Sequence, residues 1–344
     1  MTDKKKLAFV IIPLAAAVLA IFAFFYARQQ QEQQDPITAT AFKLNTVVTI
    51  TIYDSQDTSI LDGAMALCDE YEQIFSRTME ASELYQLNAG TLPREDGAFV
   101  LSEPLSDLIS QGLYYSGLSG GAFDITTAPL SILWDFEGDA PSVPPAGEIE
   151  ELLKTVDYTK IRVEGSTVTL EPPAKAIDLG AIAKGYITDR LVEYLTDNGV
   201  TSAIISLGGN IYAIGTSDGR PFRIGVQDPA GEGGAILGYV EISNKSVVTS
   251  GDYQRFFVQD GKVYHHILDP ETGYPTDNGL ASVTIISDRS TDGDALSTSC
   301  FVLGLEDGME LVNGIDGVEA IFVDHDGNMY FSDGFGTGME FVQA

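Results

Sequence analysis

The stretch IDLGAIAKGYITDR, residues 177–190, starts apolar, turns through Asp178-Leu179-Gly180 and enters a helical pattern over 181–198 that stops at Asn198–Gly199. Short runs with strand character follow at 201–206, 211–215, 222–227, 237–242, 254–259, 262–267 and 280–287. Upstream, AFKLNTVVTITIY (41–53) is β-branched and partly alternating and predicts one strand. Apolar residues at three- and four-residue spacing predict helices over 59–77 and 104–118, with an acidic helix over 147–156 after the Pro/Gly loop 138–147. A hairpin over 160–171 turns at Glu164–Gly165. The chain closes with helices over 293–304 and 306–314 and strands over 318–323 and 328–331. Helices and strands mix without a regular βαβ alternation, so the expected class is α+β.

The chain has 344 residues, with 50 acidic and 19 basic side chains and a formal net charge of −31. That length allows one large domain or two ordinary ones. A hydrophobic content of 44% supplies a core, which excludes a disordered acidic tail. Nucleic acid is excluded as a partner, because neutralising its phosphates needs a basic surface. Two cysteines, Cys68 and Cys300, and three histidines rule out a Cys-rich zinc module or a disulfide-dense scaffold. Residues 1–35 hold four basic and three acidic groups, which leaves 15 against 47 for the rest. The acidity belongs to the folded part.

Leu7 to Tyr26 is an uncharged run of 20 residues, preceded by Lys4, Lys5 and Lys6. A helix of that length spans about 30 Å, the hydrocarbon thickness of a bilayer. The lysines keep the amino terminus in the cytoplasm. The expected organisation is a basic cytoplasmic start (1–6), one transmembrane helix (7–26), a polar linker (27–38) and an extracytoplasmic domain (39–344). A cleaved signal peptide is the rival reading, but the run is long for one and ends in bulky Phe24, Phe25 and Tyr26.

No phosphate loop, dinucleotide fingerprint or nucleophile elbow is present. Asp288–Ser299 and Asp324–Asp333 resemble calcium loops only faintly; the first ends in Ser299 rather than Glu and the second lacks the central glycine. Five segments concentrate Gly, Asp, Ser and Thr beside apolar runs: 120–129, 177–189, 248–255, 265–275 and 292–304. Asp178, a glycine and a helix start put N–H groups where an anion could sit, with Lys184 in the first turns; capping alone also accounts for Asp178. Asp294 and Thr298 are four apart on one helix face, a pairing that suits Mg²⁺ or, equally, a capped helix start. His265 and His266 are strand neighbours, so at most one can point into a given site.

In order, these segments resemble the ApbE family, the FAD:protein FMN transferases. The blocks are SRTMEASELYQLN (76–88), GGAFDITTAPL (120–130), IDLGAIAKGYITDR (177–190), SLGGNIYAIG (206–215), VTSGDYQR (248–255), HHILDPETGYP (265–275) and DALST (294–298). The resemblance runs from about Phe42 to Gly304. It implies an ApbE-like, T-fold-related mixed sheet with packed helices, following the N-terminal transmembrane helix. It implies splitting of the FAD pyrophosphate, transfer of FMN through a phosphoester to a threonine of an extracytoplasmic flavoprotein acceptor, and release of AMP. By the same carry-over, Mg²⁺ is held by Asp294, Thr298 and the backbone carbonyl of Ala181. Thr78, Ala122, Phe123, Asp124, Asp178, Lys184, Ser250, Gly251, His266 and Ile267 line the FAD site, and His266 and Asp294 are the catalytic candidates. Thr78 stands where the family carries an aromatic, and Asn45 where it carries a glycine. Two other readings stay open: an FAD pyrophosphatase giving free FMN and AMP, and a non-catalytic acidic module of the cell surface.

Overall fold

The computed structural model describes residues 35–231 and 233–344. The expected cytoplasmic start, the apolar run 7–26 and the linker up to residue 34 lie outside the described residues. Among the described residues no helix is long and apolar enough to cross a membrane.

Eight strands form the central sheet: β1 (Ile37–Lys43), β2 (Thr46–Ile52), β3 (Ser202–Leu207), β4 (Asn210–Gly215), β5 (Lys245–Gly251), β6 (Leu280–Ser287), β7 (Glu319–Asp324) and β8 (Met329–Phe331). They neighbour one another in chain order. Every pairing is antiparallel, which corrects the expected mixed sheet. Each strand reaches its neighbour through a turn or an excursion that reverses direction, so no crossover enforces a parallel pair. The single strand expected over 41–53 is instead the hairpin β1–β2. Leu44 and Asn45 both take positive φ, 54° and 55°, the turn that matches the twist of antiparallel strands. Asparagine tolerates that conformation, so Asn45 fills the place of the family's glycine without breaking the turn. The first described strand begins at Ile37.

The helices are α1 (Thr58–Phe75), α2 (Glu83–Ala89), α3 (Glu103–Leu118), α4 (Ala128–Trp134), α5 (Ala146–Leu153), α6 (Ala183–Asp197), α7 (Ser290–Leu303) and α8 (Leu305–Asn313). Alternation along the strands divides the sheet into two faces. Ile50, Ile205, Ile214, Val283, Ile285 and Phe322 face a core shared with α1, α3, α6 and α7. Ala213, Val247, Ile286, Ile321 and Val323 face a second core, closed by a three-stranded sheet of Phe222–Gln227, Ile236–Ile242 and Phe341–Gln343. Strand β6 is therefore buried at all eight positions. A third cluster gathers Trp134, Leu130, Ile149 and Leu268 beside the hairpin Phe256–Gln259/Lys262–His265.

Helix α7 packs flat on β5 and β6. Its sequence, STDGDALSTSCFVL, is small nearly throughout, which permits the close approach. A Cβ on Gly293 would lie 2.8 Å from Val248 Cγ2, 3.0 Å from Ser246 Oγ and 3.1 Å from Ser287 Oγ. Gly293→Ala should therefore cost about 1–3 kcal/mol by overpacking. Gly147→Ala, in α5 with open space at its Cβ, should be neutral or gain about 0.5–1 kcal/mol. Urea unfolding of the two variants checks the contrast.

Candidate active site

Helices α6 and α7 cross where Gly185 meets Ser290 and Asp294. A Cβ at Gly185 would fall 2.4 Å from the Ser290 carbonyl oxygen and 2.8 Å from Asp294 Cβ, so only glycine fits. The Gly185 N–H donates to Asp294 Oδ2 at 2.8 Å. It thus turns away from the carbonyl of Ala181 four residues back, and no other backbone N–H among the described residues donates to that oxygen. Asp294 is only 4% exposed. Its Oδ1 lies 3.7 Å from Lys184 Nζ, which also donates to the Gly180 carbonyl at 3.1 Å. One turn further along α7, Thr298 Oγ1 is 3.3 Å from Ser250 Oγ, itself 2.8 Å from Ser297 Oγ. Ser250 reaches α7 because residues 246, 248 and 250 of β5 share the helix-facing side.

Among the described residues no group of three or more His, Cys, Asp or Glu could hold a metal. The donor set here is one carboxylate with hydroxyls and a carbonyl without a hydrogen-bond donor. Such all-oxygen sets suit a hard cation that keeps part of its water shell, and so fit Mg²⁺.

Asp189 fixes the start of α7. Its carboxylate accepts the N–H groups of Ser290 and Thr291, at 2.7 and 3.0 Å, and the Thr291 hydroxyl at 2.5 Å. Burial pushes this carboxyl above the usual range, and the bonds from Thr291 and Ser290 pull it back. The residue ends the motif 177–189, but the sequence reading gave it no role. Its partners are about a hundred residues away, and nothing local signals them.

The other blocks frame this crossing. Asp178 Oδ1 accepts the Gly180 N–H at 2.9 Å and closes a local turn; this corrects the capping expected from sequence, because α6 begins at Ala183 with Ile182 as its N-cap and no side-chain cap bond. Its Oδ2 pairs with Arg77 Nε at 3.2 Å, a cation the sequence reading passed over. Asn88 bonds both backbone groups of Ile177 at 2.8 Å, tying block 76–88 to block 177–190. Thr78 is exposed beside Arg77. The Asp124 carboxylate is committed to Thr126 and to the Tyr158 N–H, and burial raises its pKa. Phe123 is in the core against Tyr115, and Ala122 is half-buried next to it. Gly251 ends β5, where a Cβ would meet Tyr253 at 2.4 Å.

The two histidines divide as strand geometry demands. His265 is buried, with Nε2 2.8 Å from the Thr276 carbonyl and its ring edge-on to Phe301. His266 is half-buried, but its Nδ1 is sealed from solvent and has no hydrogen-bond partner among the described residues. Desolvation, with the charges of Arg255, His265 and Lys184, depresses its pKa to about 3. The imidazole is neutral at physiological pH. Ile267 is core. Arg255 is held by Glu137 at 2.8 Å, and Glu137 also takes the Asn45 amide at 2.9 and 3.0 Å. A cavity bounded by Ser217, Arg220, Arg223 and Glu241 sits by the small sheet and shares no residue with this site.

Oxygen donors at a helix crossing of an α+β sandwich, with a lysine and a histidine nearby, suit a hard cation and the phosphates such an ion attracts. The ApbE family model matches residues 44–322, and the chain belongs to that family. It is 36% identical over 281 residues to the FAD:protein FMN transferase of Treponema pallidum (strain Nichols), covering 76% of each chain. It is 38% identical over 273 residues to the enzyme of that name from Klebsiella pneumoniae (strain 342), covering 78% of this chain and 83% of that one. The crystal structure of the ApbE protein from Thermotoga maritima superposes with a TM-score of 0.78 at 34% identity, over 87% of this chain and 97% of that one. The flavin transferase ApbE from Vibrio cholerae gives the same TM-score and coverage at 27% identity.

The fold holds His266 neutral, so its stabilising share is complete above the unfolded pKa of about 6.5 and is lost as pH falls toward about 3. Stability should fall in that window by up to about 1.4 kcal/mol per pH unit from this group, and His266→Gln should flatten the slope. Urea midpoints measured across pH 4–7.5 check it.

Proposed function

We propose that the protein is an Mg²⁺-dependent FAD:protein FMN transferase, anchored by its N-terminal helix in the cell membrane with the domain outside the cytoplasm. Family membership gives the transferase class. The observation that supports the chemistry most is the convergence of Asp294, the free Ala181 carbonyl and the Thr298 and Ser250 hydroxyls, next to Lys184, at one helix crossing.

The reaction joins a threonine oxygen of the acceptor to the FMN phosphorus, breaks the bond to the bridging pyrophosphate oxygen, and releases AMP and the hydroxyl proton. Bound Mg²⁺ would neutralise the pyrophosphate and polarise the phosphorus, and Asp294, Thr298 and the Ala181 carbonyl would hold it. Lys184 supplies further positive charge near the phosphates, where a strongly acidic domain otherwise repels them. His266 is our candidate for contacting the pyrophosphate or the entering threonine hydroxyl, since its Nδ1 has no hydrogen-bond partner among the described residues. The small residues Gly120, Gly121, Ala122, Ser250 and Gly251 suit a flavin nucleotide lying close to the main chain.

The 36–344 fragment, incubated with FAD, Mg²⁺ and a protein bearing an acceptor threonine, should give that acceptor an FMN-sized mass gain. Intact FAD and unlabelled acceptor would overturn the reading, and free FMN without labelled acceptor would establish a pyrophosphatase instead. Asp294→Ala should lower the transfer rate by at least about a hundredfold. In cells, the full chain should sediment with membranes and be shaved from outside by protease; a soluble, protected chain contradicts the anchor.

A further inference from the structure

Three cations border the site, and they are held differently. Arg77 is paired with Asp178 at 3.2 Å and Arg255 with Glu137 at 2.8 Å. Lys184 sits 3.7 Å from Asp294 Oδ1, beyond hydrogen-bond distance, and among the described residues its one side-chain hydrogen bond goes to the Gly180 carbonyl at 3.1 Å. Its backbone is fixed in the first turn of α6, but its side chain is 31% exposed and can swing. Asp294, in contrast, is nearly sealed, and a buried carboxylate needs a counter-charge. The ammonium therefore lies between the Gly180 carbonyl and Asp294 Oδ1, an oxygen that a divalent cation would also use.

Resting on the transferase reading, we propose that Lys184 is the exchangeable counter-charge of Asp294: it neutralises the carboxylate until a divalent cation arrives with FAD, and then passes to the pyrophosphate. An ammonium and a divalent cation repel each other at the same carboxylate oxygen. Lys184 therefore opposes Mg²⁺ when no anion is present to receive it, and favours Mg²⁺ once the pyrophosphate offers the ammonium a new partner. Metal and FAD binding become coupled, and by reciprocity each raises the affinity of the other. The arrangement discourages the protein from holding Mg²⁺ without substrate, although the domain is acidic enough to attract cations generally.

The test is calorimetric titration with Mg²⁺ alone, without FAD, on the wild-type chain and on Lys184→Met and Lys184→Arg, each checked for an unchanged thermal midpoint. Lys184→Met should bind Mg²⁺ roughly tenfold or more tighter than wild type, while Lys184→Arg, which keeps the charge, should stay near wild type. Flavin fluorescence should then show a smaller Mg²⁺-induced gain in FAD affinity for Lys184→Met than for wild type. Equal or weaker Mg²⁺ binding by Lys184→Met overturns the inference. A side chain that merely supports the local structure would produce that result, because its loss distorts the site. The transferase reading fails separately: it falls if the wild-type chain transfers no FMN, whatever the Mg²⁺ titration shows.

Discussion

The approach of α6 to α7 at Gly185 is the constraint on which the site depends. With no Cβ in the way, the Ser290 carbonyl and Asp294 come close enough for the Gly185 N–H to reach the Asp294 carboxylate. That one bond orients the carboxylate, diverts an N–H from the Ala181 carbonyl and sets Lys184 beside Oδ1. The crossing is held from both sides. Asp189 grips the N-terminus of α7 from within α6, and Gly293 lets α7 settle on Ser246, Val248 and Ser287. Small residues on both helices and on β5 are what the geometry requires, and bulk at any of them would separate the donors.

Charge explains why so few cations sit at the site. With 50 acidic groups against 19 basic, the chain is a poor host for a pyrophosphate by side chains alone. Arg77 and Arg255 are each committed to a carboxylate, which leaves Lys184 and the oxygen cluster. A divalent cation held by those oxygens would reverse the local sign without changing the surface. The neutral His266 fits the same surroundings, since Arg255 and Lys184 both oppose its protonation.

Much of this was legible in the sequence, and the misses have identifiable physical causes. Long periodic elements such as α1, α3 and α6 were placed to within two residues, and β6 at both ends, because burial imposes a clear period. Strand β5 went unmarked. Its KSVVTSG combines short polar residues under α7 with valines, so the usual apolar alternation is blurred by the close helix. The short helices α2 and α4 went unmarked because seven residues are too few to show a helical period. The β1–β2 turn was hidden because Leu-Asn is a weak turn signal between β-branched runs. At the site, the Asp294–Thr298 spacing and the division of His265 from His266 could be read from helix and strand periods. The Asp189 cap and the Arg77–Asp178 pair could not, because each joins segments about a hundred residues apart.

The most direct test of the central claim, that the α6–α7 crossing holds the cation, is anomalous diffraction from crystals of the domain grown with FAD and Mn²⁺ in place of Mg²⁺. The account predicts a peak within about 2.5 Å of an Asp294 carboxylate oxygen and the Thr298 hydroxyl, bridging to the FAD phosphates. A metal peak coordinated elsewhere, with FAD bound and Asp294 still facing Lys184, would contradict it.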